Sequence, residues 1–156
     1  MTISRKRRDR GQTLVEFALV FPIFLLVLFA ILDIGRYVFV NNSINQAARE
    51  GARYGSVEQW YYTCPASVPV ASKDLFTCTA ATTKERLVGA AVDNPTVTCS
   101  DGAGVPKLAT ECGTADILKV VVTTGTTTNK FRFFTPVIGQ IFSPPTIVGT
   151  AQVAIQ

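Results

Sequence analysis

A glycine, a glutamine and a glutamate near the start of the chain hold the most distinctive chemistry in this sequence. Gly11-Gln12 follows a basic tail (Arg5, Lys6, Arg7, Arg8, Arg10), and Glu16 and Phe17 open an apolar run. If the chain is cut after Gly11, Gln12 bears a new ammonium group. Glu16 lies one helical turn further on, placed to neutralise that charge within the subunit or in a neighbour. Uncut, Glu16 is an acid in the first turn of a helix, where the macrodipole favours it. A carboxylate at the edge of hydrocarbon is costly unless it pairs or reaches the interface. The order of basic tail, glycine, lone glutamate and hydrophobic helix points to a membrane helix that is processed on its cytoplasmic side and kept.

Little other reactive chemistry is available. The chain has no histidine, which excludes Ser-His-Asp and Cys-His arrangements. It has no phosphate-binding loop, and its acids (Asp74, Glu85, Asp93, Asp101, Glu111, Asp116) are too scattered for a catalytic pair. No enzyme and no cofactor are expected. Four cysteines all follow the hydrophobic run, at spacings of 14, 21 and 13 residues. Structural zinc sites favour tighter pairs, so no metal is expected. Four cysteines allow three pairings; Cys64 with Cys78 and Cys99 with Cys112 are favoured, because each closes a short local loop.

Those chemical groups depend on a helix to position them. Phe17–Leu32 carries no charge, and a span of about residues 14–34 is long enough for a ~30 Å hydrocarbon core. Asp33 and Arg36, near its outer end, are spaced to pair on one helix face. Pro22 inside the span is expected to kink it. Residues 1–11 hold five of the 15 basic residues and one acid, and the remaining chain is neutral. The excess charge is therefore an end tag, which keeps that end cytoplasmic. No basic face follows, so nucleic acid is not an expected partner. A cleaved secretory signal would need a small-x-small site after Leu32, and Asp33-Ile34-Gly35-Arg36 offers none.

Apolar positions Ile34, Tyr37, Val40, Ile44, Ala47, Gly51 and Tyr54 continue the helical period to Val57. Asn41-Asn42-Ser43 is a weak point where one helix could end and another begin. Ala47, Gly51 and Gly55 form a face of small residues, suited to packing on the protein's own domain or on a partner helix.

The stretch Arg10-Gly-Gln-Thr-Leu-Val-Glu-Phe-Ala-Leu-Val-Phe-Pro, with Asp33-Ile-Gly-Arg-Tyr and Ala47-Ala-Arg-Glu-Gly-Ala-Arg-Tyr-Gly, resembles TadE-like minor pseudopilins. Gly11-Gln-Thr-Leu-Val-Glu16-Phe17 resembles the type IV prepilin processing motif in its tight-adherence (Flp) form. The resemblance covers about residues 10–56. It implies cleavage between Gly11 and Gln12 by a prepilin peptidase, a membrane aspartate protease. It also implies assembly through Glu16 and Phe17, with other pilins and the pilus assembly platform as partners.

Beyond residue 57 the pattern shortens. Trp60-Tyr61-Tyr62 opens a loop region with Pro65 and Pro69. Thr82 or Thr83 is placed to cap a helix from Lys84 to about Asp93, ended by Asn94-Pro95. Thr96–Cys99, Ile117–Thr124 and Thr146–Ile155 read as strands, and Lys130–Phe134 as a hairpin arm after a turn at Gly125–Asn129. Thr135-Pro136 starts a short apolar helix to Phe142. The aromatic segment 131–142 exceeds what one buried strand face needs.

The expected fold is α+β and pilin-like: a basic leader (1–11), a long helix (12–57) and an extracytoplasmic domain (58–156) with a mainly antiparallel sheet. The expected function is a non-enzymatic minor pseudopilin, single-pass in the bacterial cytoplasmic membrane with its N-terminus inside, acting in Flp pilus assembly and surface attachment. The alternative is an unprocessed, membrane-anchored envelope module.

Overall fold

The computed structural model describes residues 9–57, 64–124, 131–134 and 145–156. Helix α1 runs from Asp9 to Gly55, 47 residues, about 70 Å at ~1.5 Å per residue. A single 3-10 turn at Val70–Ser72 precedes helix α2, Leu75–Glu85. Four strands follow: β1 (Thr96–Ser100), β2 (Pro106–Lys107), β3 (Ile117–Thr123) and β4 (Val148–Ala154). They form one antiparallel sheet in the order β2-β1-β3-β4. The architecture is α+β, a long N-terminal apolar helix followed by a small domain with an antiparallel sheet.

α1 has two halves with different surroundings. From Leu14 to Phe39 its large apolar side chains are mostly exposed. This half contains the one helix segment, among the described residues, long and apolar enough to cross a membrane. From Val40 onward the same helix is core. Val40, Ile44, Ala47, Ala48 and Ala52 are buried, while Arg49, Glu50 and Arg53 face outward.

The sheet supplies the other side of that core. In β3 the alternation is regular: Leu118, Val120 and Val122 are fully buried and Lys119 is exposed. Leu118 stands opposite Cys99 on β1 and Val153 on β4; Val120 stands opposite Val97 and Ala151. Burying an aliphatic side chain of this size contributes ~1.5–3 kcal/mol, so Ile44 and these β3 residues dominate the packing.

The helix lies unusually close to its neighbours. A Cβ at Gly149 would sit 2.7 Å from Ile44 Cγ2 and 3.0 Å from the Ile44 carbonyl carbon. On the next turns Gly51 abuts Thr83, and Gly55 abuts Leu118 and Thr79. The small face of α1 thus packs against α2 and β3 within the chain.

Several expected boundaries differ. Asn41-Asn42-Ser43 does not interrupt α1. Asn45 Nδ2 donates to Asn41 O at 2.9 Å, and the Ser43 hydroxyl donates to Val88 O at 2.8 Å. The Asn41 and Ser43 side chains are thus engaged without ending the helix, Asn41 Oδ1 also accepting from Asn45 Nδ2 at 3.3 Å, and buried Val40 and Ile44 hold it on both sides. α1 also continues through Pro22.

The helix expected at 84–93 lies instead at Leu75–Glu85. Asp74 caps it: its Oδ1 accepts from Thr77 N at 2.8 Å, and the Asp74 N–H donates to Thr77 Oγ1 at 3.1 Å. This is a capping box with threonine at the third position. Thr82 and Thr83 are buried in the helix and do not start it. The chain then leaves the helix at Arg86, and Gly89 takes φ +72° beside the Phe39 ring.

Strand β2, not anticipated, is a two-residue edge begun by Pro106, where a missing N–H is tolerated. Residues 131–134 are not a strand; they lie against α1. The expected turn at 125–129, the helix at 136–142 and the Trp60–Tyr62 cluster fall outside the described residues.

Two disulfides fasten the periphery. Cys64–Cys78 ties the loop after α1 to α2, and Cys99–Cys112 ties β1 to the loop before β3. Each closes a short loop, with an entropic contribution of ~3 kcal/mol.

The close approach at Gly149 gives a direct test. Gly149→Ala should destabilise the domain by roughly 1–3 kcal/mol, because the Ile44 backbone must move. Denaturant unfolding of the detergent-solubilised protein, monitored by circular dichroism, measures it.

Candidate processing and assembly site

The first turns of α1 carry the candidate site. Gly11, Gln12, Glu16 and Phe17 are all exposed on a continuous helix. A Cβ at Gly11 would meet nothing within 4 Å among the described residues, so no other part of the chain packs on the helix surface there. Gln12 and Glu16 are one turn apart, ~6 Å along the axis. Among the described residues Glu16 has no ion-pair partner. Phe17 stacks on Phe21 with ring centroids 5.2 Å apart, so the aromatic next to the acid is held along the helix surface. The arrangement presents one free carboxylate within reach of any cation that appears at residue 12.

The outer end of the apolar stretch is organised differently. Asp33 is 2% exposed, although it sits between exposed Leu32 and Ile34. Its Oδ1 accepts the Phe134 N–H at 2.7 Å. Arg36 Nη1 donates to Arg132 O at 3.3 Å, and its guanidinium lies 5.6 Å from the Phe131 ring centroid. Both charged residues, expected to pair with each other, engage the segment 131–134. That contact spans about a hundred residues of sequence, and no local pattern announces it.

The small-residue face, Ala47, Gly51 and Gly55, is buried against α2 and β3. It is therefore not open to a second subunit's helix while the domain is folded.

A third cluster brings Cys99, Cys112 and Asp116 together. Its cysteines are joined as a disulfide, which removes the thiolates a metal would require. Asp116 is occupied as well. It accepts from Gly113 N at 2.9 Å and from Lys107 Nζ at 2.8 Å. The Gly113 N–H, then the Lys107 ammonium, hold the Asp116 carboxyl below the usual carboxylate range against an opposing desolvation effect. The Asp116 carboxylate in turn holds Lys107 above the usual lysine range. The cluster is a clamp on the Cys99–Cys112 loop. Ala115, within it, has φ +73°. Its N–H donates to Ile155 O at 3.0 Å, which helps hold this costly conformation.

Residues 11–53 match the family model for TadE-like proteins.

The match begins on the glycine of the candidate cleavage bond and ends within the last turns of α1. All of it is one helix. The TadE-like signature thus covers both the bare apolar half and the half buried in the domain. It implies involvement in tight-adherence pilus assembly in a membrane setting. No curated protein and no solved structure matches the chain.

The Asp116 clamp predicts a pH dependence. A depressed carboxylate pKa contributes stability above about pH 4 and loses it as pH falls through the folded value. The raised Lys107 contributes below its ordinary range and loses its effect in strong alkali. Asp116→Asn should therefore unfold more easily than the wild type at pH 7, with the difference closing below about pH 4. Thermal unfolding across pH checks it.

Proposed function

We propose that this chain is a minor pseudopilin of a tight-adherence (Flp) pilus. It is anchored in the bacterial cytoplasmic membrane by the lower half of α1, with the basic tail inside and the domain outside. A prepilin peptidase cuts between Gly11 and Gln12. The observation that carries this reading is the placement of an exposed Gly11–Gln12 pair and, one turn on, a Glu16 without an ion-pair partner among the described residues, near the start of a helix whose far end is the domain core.

The proposed mechanism follows from charge. Cleavage removes the basic leader and leaves an ammonium group on Gln12. A positive charge at a helix N-terminus opposes the macrodipole, and Glu16 compensates it. In a neighbouring subunit the same carboxylate meets the same ammonium, which sets the axial register of two helices in the bilayer. An unpaired acid drawn deeper into hydrocarbon costs a few kcal/mol, so the pair disfavours wrong registers. Phe17 and the exposed aliphatic residues beyond it supply lateral contact. The helix is anchor and assembly element, other pilins and the assembly platform are its partners, and the reading requires no catalytic role.

The Gly11–Gln12 bond lies in the first turn of α1, and the peptidase has to open that turn. Glycine makes this easy, since it favours helix less than alanine by ~1 kcal/mol.

Glu16→Lys should leave membrane abundance and cleavage near wild type while lowering assembly on the order of tenfold, the loss of about 1.4 kcal/mol of pairing. Membrane fractionation and quantification of surface pili separate the two effects. Equal loss of insertion and assembly would reduce Glu16 to a helix-forming role and favour the unprocessed envelope module.

A further inference from the structure

The membrane-proximal rim of the domain has an apolar and cationic surface that its own fold leaves open. Phe134 is 69% exposed, yet its ring lies 5.9 Å from Phe29, within the apolar stretch of α1. Phe29 precedes Ile34 by five residues, ~7.5 Å along the helix. Asp33 pins this segment at that depth through the Phe134 N–H. Around the helix at the next level Val38 and Phe39 are also exposed, as is Val88, which lies against Ser43 a turn further on. The Val88 N–H donates to Ser43 Oγ at 3.3 Å, and Gly89 abuts the Phe39 ring, so this loop is fixed to the helix.

Charge completes the pattern. Arg36 and Arg132 are exposed at the same level, and among the described residues neither forms an ion pair with a carboxylate. An open cavity of about 150 Å³ lies between them, backed by Gly89 and Phe131. Aromatic groups at the acyl boundary with guanidinium groups just above it match the layering of a phospholipid leaflet.

We propose that this rim is a collar seated in the outer leaflet of the bilayer that α1 spans, with Phe134 at the top of the acyl chains and Arg36 and Arg132 among the lipid phosphates. The proposal rests on the reading of α1 as a membrane span. A span ending near Ile34 leaves a headgroup layer of ~5–7 Å, and Arg36 to Phe39 fall within it. The exposed apolar residues of the rim are continuous with the lipid-facing surface of α1, which is why lipid is the occupant that fits. The domain then stands directly on the membrane, held there by two chain segments.

The test uses the full chain in vesicles of phosphatidylethanolamine and phosphatidylglycerol. The sequence has one tryptophan, so Trp60→Phe provides a silent background. Single tryptophans are then introduced by Phe134→Trp, by Phe24→Trp in the middle of the span, and by Leu108→Trp, exposed at the end of the sheet away from Gly149. The collar predicts that the Phe134→Trp variant is quenched by lipid brominated high on its acyl chains. Its quenching by aqueous iodide should be several-fold weaker than for Leu108→Trp. Adding Asp33→Ala should raise iodide access at position 134. Iodide access at 134 equal to that at 108, with Phe24→Trp still quenched by lipid, overturns the collar and leaves the span standing. Absence of lipid quenching at position 24 overturns the span and the collar together.

Discussion

The structure depends on one close packing contact. The backbone of α1 comes so near to β4 that only glycine fits at position 149 opposite Ile44. Two turns later Gly51 and Gly55 let α2 and β3 approach equally closely. This matters because the domain's principal core helix is the upper half of the apolar helix. Its small inner residues let the sheet and α2 close directly on the helix axis, so a short sheet can bury Leu118, Val120 and Val122 fully. Loosening that contact would affect both the domain's core and its hold on the anchor.

A helix long and apolar enough to cross a membrane needs a way to handle polar groups at both ends of its apolar stretch, and the two acids differ in how they are held. Glu16 is exposed and unpaired among the described residues, a charge kept in reserve. Asp33 is buried, with the Phe134 N–H on its carboxylate. That backbone donor comes from the domain. Glu16 is therefore exposed at one end of the apolar stretch, while Asp33 binds the chain to itself at the other. The same difference separates the part of α1 that can meet partners from the part committed to the fold.

Sequence patterns were most legible where local periodicity coincides with burial. β1, β3 and β4 are close to their expected bounds, because each alternates against a single core face, with Val97 and Cys99, Leu118, Val120 and Val122, and Gly149, Ala151 and Val153 turned inward. The paired cysteines could be matched by loop length. α2 was displaced by about nine residues, since its start signal is Asp74 with Thr77, and threonines within it suppress the helical pattern. Asn41–Ser43 misled because asparagine and serine favour helix ends in isolation, while here Val40 and Ile44 are locked into the core. The contacts of Asp33 and Arg36 with 131–134 were not legible at all, being set by tertiary packing across the chain. The resemblance read from residues 10–56 is met by the match to TadE-like proteins over residues 11–53.

The central claim is that α1 begins, in the working protein, at Gln12, with its new ammonium group beside Glu16. The intact mass of the protein purified from its native membranes tests this most directly. The account predicts a chain lacking residues 1–11. A chain that retains its basic leader, in cells with an active prepilin peptidase, would contradict it and leave an unprocessed anchor.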